Sequence, residues 1–135
     1  MRGLLVVVLA AACSQPPPLA SCDESLRGTW RADGDRRWMI LDAGRTLEMY
    51  PLFPDGDPAP RVIDLERGDG SLRGRVKRRY MNGATSCIAS ATATVTTCSR
   101  DALEIVLADP QPPLAFDPCT WGAPASSRRE RWHRE

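Results

Sequence analysis

The chain has 135 residues, of which 26% are charged and 42% hydrophobic, and its formal net charge is +1 at neutral pH. That length supports one small core rather than several domains. So even a charge balance argues against a general nucleic-acid binder, and a single histidine, His133, nearly excludes a Ser-His-Asp or Cys-His catalytic site.

In chain order, the first feature is Arg2 followed by an uninterrupted apolar run over residues 4–12. Such a run has the length of a signal-peptide core and falls well short of the roughly 20 residues that cross a bilayer. It ends in Ala10-Ala11-Ala12-Cys13. This stretch resembles a bacterial lipobox, in which small residues precede a cysteine. The resemblance implies cleavage before Cys13 and several acyl chains on the new N-terminus. One acyl chain binds a membrane marginally, whereas two or more hold firmly. Ser14 stands where an aspartate would retain the protein at the inner membrane, so the resemblance implies the outer membrane, with the domain on its periplasmic face. Loss of Arg2 with the leader takes the basic count from 18 to 17, against 17 acidic residues, and leaves the exported chain neutral.

Pro16, Pro17 and Pro18 favour an extended, semi-rigid spacer. The expected organisation is a signal peptide over residues 1–12, a lipidated N-terminus and tether over 13–25, and one domain over 26–135.

From Leu26 the chain reads as short strands separated by turn signals. They cover residues 28–32, 36–42, 45–50, 61–67, 71–80, 87–98, 102–108 and 128–135. Asp-Gly, Ala-Gly and Asn-Gly connections between them are hairpin chemistry. Leu72, Gly74, Val76 and Tyr80 alternate with Arg73, Arg75, Lys77 and Arg79, a half-buried strand pattern. No segment keeps a helical period. The expected class is all-β: a small eight-stranded antiparallel up-and-down barrel, which removes both sheet edges, or else a two-sheet β-sandwich.

Four cysteines remain beyond Cys13, and an even number in a small exported domain reads as two disulfides. Their spacings are too long for a metal site, and no metal or other cofactor is expected. With the strands numbered one to eight, Cys22 and Cys98 fall at one end and Cys87 and Cys119 at the other. Cys87 and Cys98 lie about 36 Å apart along a straight strand, and a disulfide needs Cα atoms within about 7 Å. The expected pairs are Cys22–Cys98 and Cys87–Cys119, with other pairings open if the sixth strand bends.

Gly28-Thr29-Trp30 on the first strand resembles the G-x-W signature of lipocalins and related calycin barrels. In that family the tryptophan closes the barrel bottom, and an arginine from the last strand packs across it by cation–π contact. The resemblance implies that Arg134 plays this part, with Arg131 as the fallback, if Trp132 points inward. Gly28, Trp30, Trp132 and Arg134 are thus the expected closure residues.

Catalytic chemistry is thin. Asp33/Asp35 and Asp55/Asp57 lie in turns, where aspartate serves the turn itself, and no P-loop, Rossmann or zinc motif occurs. The Arg73/Arg75/Lys77/Arg79 ladder is expected to be a solvated outer face balanced by Asp64 and Glu66. Ala89, Ala91 and Ala93 share the inward face of the sixth strand. A barrel of eight strands is just wide enough to be filled or to hold one small ligand. Trp38, Met49 and Tyr80 with these alanines are the candidates to line a pocket, or to fill it. The expectation is a non-enzymatic, membrane-anchored envelope lipoprotein that binds a small apolar or amphipathic ligand. The alternatives are a protein-binding module such as a periplasmic protease inhibitor, or a structural envelope component without ligand.

Overall fold

A computed structural model describes residues 22–59, 62–68, 70–123 and 126–135. The expected leader, Cys13 and the proline cluster lie outside the described residues. Ten strands follow one another: β1 (Gly28–Arg31), β2 (Arg37–Asp42), β3 (Thr46–Pro51), β4 (Ile63–Gly68), β5 (Ser71–Asn82), β6 (Thr85–Cys98), β7 (Ala102–Ala108), β8 (Ala115–Phe116), β9 (Cys119–Thr120) and β10 (Ser127–Arg134). Eight of them close into an antiparallel barrel in the order β1-β10-β7-β6-β5-β4-β3-β2. The closed barrel is therefore the architecture, and the two-sheet sandwich is set aside. β8 and β9 form a small separate ribbon within the proline-rich connection, where the sequence pattern indicated only loop.

Closure is made by the two ends of the domain. Trp30 lies opposite Arg134 and Arg31 opposite His133, and the Glu135 amide donates to the Thr29 carbonyl at 2.9 Å. The first and last strands of the sheet are thereby joined.

Strand alternation sorts the side chains as the period-two pattern requires. Leu103, Ile105 and Leu107 of β7 and Ala89, Ala93 and Val95 of β6 point into the core, while Thr92 faces out. Trp30, Ile40, Met49, Ile63, Leu65, Leu72, Ile105 and Trp132 are fully buried and fill the cylinder. Gly74 lets two strands approach closely, because a Cβ there would sit 1.8 Å from the Asp64 carbonyl oxygen. A bulge in β6 between Val95 and Thr97 adds one residue; the Thr96 hydroxyl donates to Glu104 Oε1 at 2.9 Å.

The two disulfides join Cys22 to Cys98 and Cys87 to Cys119, with Cα separations of 5.5 and 5.9 Å. The packed unit includes Cys22, four residues before the boundary expected at Leu26, because that disulfide and the hydrogen bonds described below hold the segment against the barrel.

One hairpin is longer than its sequence pattern indicated. Residues 81–86 read as a connection, yet Met81 pairs with Ser86 and Asn82 with Thr85. Only Gly83 and Ala84 make the turn, with Gly83 at a φ of 62°, a conformation in which glycine carries no Cβ penalty. β4 reaches only to Ile63, opposite Val76, and β7 pairs with β6 only up to Ala93. The tip of the β5–β6 hairpin therefore stands above its neighbours at the end of the barrel opposite Cys22.

Candidate functional site

The two ends of the barrel differ in kind. At the end that holds Cys22, the Arg134 guanidinium lies 4.8 Å from the Trp30 ring centroid. Contacts of this type contribute about 0.5–2 kcal/mol. Arg134 also donates to the carbonyls of Arg27, of Ser25 at 2.8 Å and of Arg100 at 2.6 Å. Gly28 permits this approach: its φ is 142°, and a Cβ there would lie 3.1 Å from Arg134 Nη1. The Trp30 indole donates to the Leu26 carbonyl at 2.8 Å, so the chain before β1 is stitched across the barrel floor.

A second clamp on this floor escaped the sequence reading. Arg67 grips Asp42 through both carboxylate oxygens at 2.6 Å and donates to the Cys22 carbonyl at 2.7 Å. The amides of Leu26 and Gly44 complete the carboxylate's partners at 2.9 and 2.8 Å. Burial opposes ionisation of Asp42, but hydrogen bonds from Arg67 and those two amides outweigh it and hold the pKa at about 2. Neither residue stood in a motif; they meet only because β2 and β4 end on the same rim. The floor is sealed, and its chemistry is structural.

The other end is open. The Trp38 and Trp132 rings stack there with centroids 4.9 Å apart. Glu130 is a buried acid, 5% exposed. It accepts from the Trp132 indole at 3.0 Å, from Arg36 at 2.8 Å and from Arg128 at 3.0 Å. Arg128 in turn pairs with Asp109. This network props the mouth and ties β10 to the β1–β2 turn. Trp38 Nε1 is buried and has no hydrogen-bond partner among the described residues.

Above the tryptophan pair lies an open cleft of about 900 Å³ between the β3–β4 connection and the β5–β6 hairpin. Trp38, Pro51, Leu52, Phe53, Val62 and Ile88 give it apolar walls, and Arg36, Arg37, Lys77, Arg78 and Arg79 give it a basic rim opposed by Asp35. Arg36 is paired with Glu130, Arg37 with Glu135 and Lys77 with Asp64. Arg78 and Arg79 are exposed and make no ion pair among the described residues. A smaller cleft of about 530 Å³ lies between β6 and the connection that follows β7.

The candidate pocket residues part company. Trp38 borders the larger cleft, and Ala89 and Ala91 border the smaller one. Met49 and Ala93 have no exposed surface and are core filling, because the cylinder is too narrow to leave a chamber beside two tryptophans. The Tyr80 hydroxyl donates to the Pro110 carbonyl at 2.8 Å and braces the proline-rich connection. The basic ladder on β5 faces out, with Asp64 across from Arg75 and Glu66 across from Arg73. His133 is exposed on β10.

Large exposed hydrophobic side chains were not singled out in the sequence, yet Phe53, Met81, Ile88, Leu114 and Trp121 all sit on the connections and hairpin at the open end. The signal for Phe53, Met81, Leu114 and Trp121 was their position in predicted loops, where an apolar residue has no core to join; Ile88 lies on the outward face of the predicted sixth strand. Among the described residues no group of His, Cys, Asp and Glu is arranged to hold a metal ion. Comparison with protein-family models, curated proteins and solved structures gives no match for this chain.

Proposed function

We propose that the protein is an exported lipoprotein, anchored through Cys13, whose barrel mouth binds a small anionic amphiphile. The cleft above Trp38 carries this reading. It combines an apolar wall large enough for an acyl chain or a ring system with two arginines, Arg78 and Arg79, that have no acidic partner among the described residues. Pockets for small ligands are usually concave, mostly apolar and supplied with a few polar groups that fix orientation. A ligand oxygen reaching Trp38 would also satisfy the indole N–H that lacks a partner.

The placement of the chain supports the same reading. Cys22 lies at the sealed floor, so a tether leading from it to a lipid at Cys13 leaves the mouth pointing away from the anchoring membrane. Two disulfides suit an oxidising compartment outside the cytoplasm. The ligand sits on the barrel rather than within it, which separates this reading from a calyx-type carrier of the lipocalin kind.

Titration of the purified domain with a fluorescent long-chain carboxylate tests the reading. Binding is expected to be saturable and to weaken on Phe53→Asp and on the double change Arg78→Glu, Arg79→Glu. Absence of saturable binding, or binding indifferent to both changes, would refute it. Native mass spectrometry of protein recovered from its own cell envelope is expected to show both the lipid on Cys13 and a retained small molecule.

A further inference from the structure

The smaller cleft owes its shape to a break in the sheet. β6 pairs with β7 up to Ala93, and beyond that point the two strands part. The reason lies in the chain that continues β7. Asp109 is followed by Pro110, Pro112 and Pro113, and a proline has no N–H to give to a neighbouring strand. β6 nevertheless continues as a strand to Thr85, with β5 as its only strand partner there among the described residues and the Cys87–Cys119 disulfide pinning it to the connection.

The hairpin register says which backbone groups are left over. Asn82 and Thr85 close a two-residue turn, so they form a hydrogen-bonded pair, and every second residue of β6 from Thr85 bonds to β5. The residues between them, Ser86, Ile88 and Ser90, turn their N–H and C=O groups away from β5, toward the cleft. Ser86 fits this assignment, since its carbonyl oxygen lies 3.7 Å from Cys119 Sγ. The amides and carbonyls of Ile88 and Ser90 have no hydrogen-bond partner among the described residues.

From this free edge we infer a second binding site: the cleft beside β6 takes one extended peptide segment of a partner protein, which adds as a strand along Ile88 and Ser90. Strand addition is an established mode of peptide capture in which main-chain bonds give affinity and flanking side chains give selectivity.

Two features favour a single extended segment over a second copy of this barrel. The cleft is walled on its far side by residues 108–112 and 121–123, so it is a slot with an edge on one flank only. A second β6 would bring its own wall into the same space. The Pro110 carbonyl is already committed to Tyr80, so the far wall is not itself a pairing strand. Charge and apolar contact then narrow the segment. Arg75 borders the slot and makes no ion pair among the described residues, its one bond being to the Ser90 hydroxyl at 3.1 Å. Trp121 is exposed at the slot's rim. An apolar residue against Trp121 and an acidic residue near Arg75 are the complementary choices. This site is separate from the larger cleft, and neither outcome there bears on it beyond the shared border at Ile88.

The test uses a set of capped nine-residue peptides that alternate Val or Phe with Thr and carry one Glu, titrated onto the disulfide-intact protein by fluorescence polarisation. The best member is expected to bind and to lose affinity at least tenfold when its alternate amides facing β6 are N-methylated, while methylation of the other set changes little. Ser90→Pro is expected to cause the same loss. It removes an N–H that β5 does not use, so the barrel retains its thermal transition. Hydrogen exchange of the wild-type protein is expected to show the Ile88 and Ser90 amides protected on binding. No binding by any member at millimolar concentration would overturn the proposal. So would binding indifferent to Ser90→Pro and to N-methylation, and so would a protein dimer abolished by Ser90→Pro, which would assign the edge to a second copy.

Discussion

Replacing Asp42 with asparagine removes the charge on which the barrel floor is organised. Asp42 is nearly isosteric with asparagine, so the change leaves the packing in place, but it sets an NH2 against donors where both oxygens accepted, so only the part of the effect that varies with pH reports the charge. Its pKa falls from an ordinary 3.8 to about 2 in the folded protein, despite burial, because Arg67 and the Leu26 and Gly44 amides bind the carboxylate. That fall corresponds to about 2–3 kcal/mol of stability at neutral pH. The sign follows from proton counting. Between pH 4 and pH 2 the unfolded chain holds a proton on this carboxyl that the folded chain does not, so folding stability rises with pH through that window. The contribution is complete above about pH 5, falls to about 1.3 kcal/mol at pH 3 and to about 0.4 kcal/mol at pH 2. Urea unfolding of the wild type and of Asp42→Asn at a series of pH values, followed by tryptophan fluorescence, measures it. The stability gap between the two proteins is expected to be widest at pH 7 and to shrink by about 2 kcal/mol on acidification to pH 2. Other carboxylates cancel in the difference. A gap that stays constant from pH 7 to pH 2 would refute the assignment of this stability to the Asp42 charge.

Gly28→Ala is expected to lower stability by about 1–3 kcal/mol, since its backbone lies outside the range open to alanine, and a Cβ would press on Arg134 Nη1 at 3.1 Å; thermal unfolding reads the loss. Glu130→Ala leaves the buried Trp132 indole without an acceptor, at a cost of about 1–3 kcal/mol, and is expected to change tryptophan emission as the Trp38–Trp132 stack loosens. The disulfides join residues separated by 76 and 32 positions. On the loop-entropy model, removing the first by paired Cys→Ala changes lowers stability by about 4–5 kcal/mol and removing the second by about 3–4 kcal/mol, which denaturant titration under non-reducing conditions resolves. Gly74→Ala is expected to disrupt the β4–β5 pairing outright, seen as loss of the cooperative thermal transition, because the obstacle is the Asp64 backbone and cannot rotate aside.

Much of the scaffold was legible in local pattern. Alternation over Leu72 to Tyr80 and over the β7 residues is a local property of a half-buried strand, and hairpin turns announce themselves through Gly, Asn and Asp. Once strand order is known, cysteine positions along the strands leave little choice of pairing. The sites were less legible. Asp42 and Arg67 are distant in sequence and ordinary in composition, and their bidentate pair exists only because two strand ends share a rim. Trp38, Met49 and Ala93 read alike as inward residues; whether an inward residue lines a space or fills it depends on how many large neighbours meet it across the barrel.

The amino-acid sequence by itself determined the all-β class, indicated eight strands and the preferred disulfide pairs, and marked the inward faces of the fifth, sixth and seventh strands, because these follow from side-chain period, turn chemistry and chain reach. Only the tertiary structure decided where open space remains. It filled the cylinder with Trp30, Trp132 and their neighbours, and it carried the β5–β6 hairpin past β4 and β7 to leave clefts at the mouth. Volume and strand overlap are sums over elements far apart in the chain, and no local stretch records them.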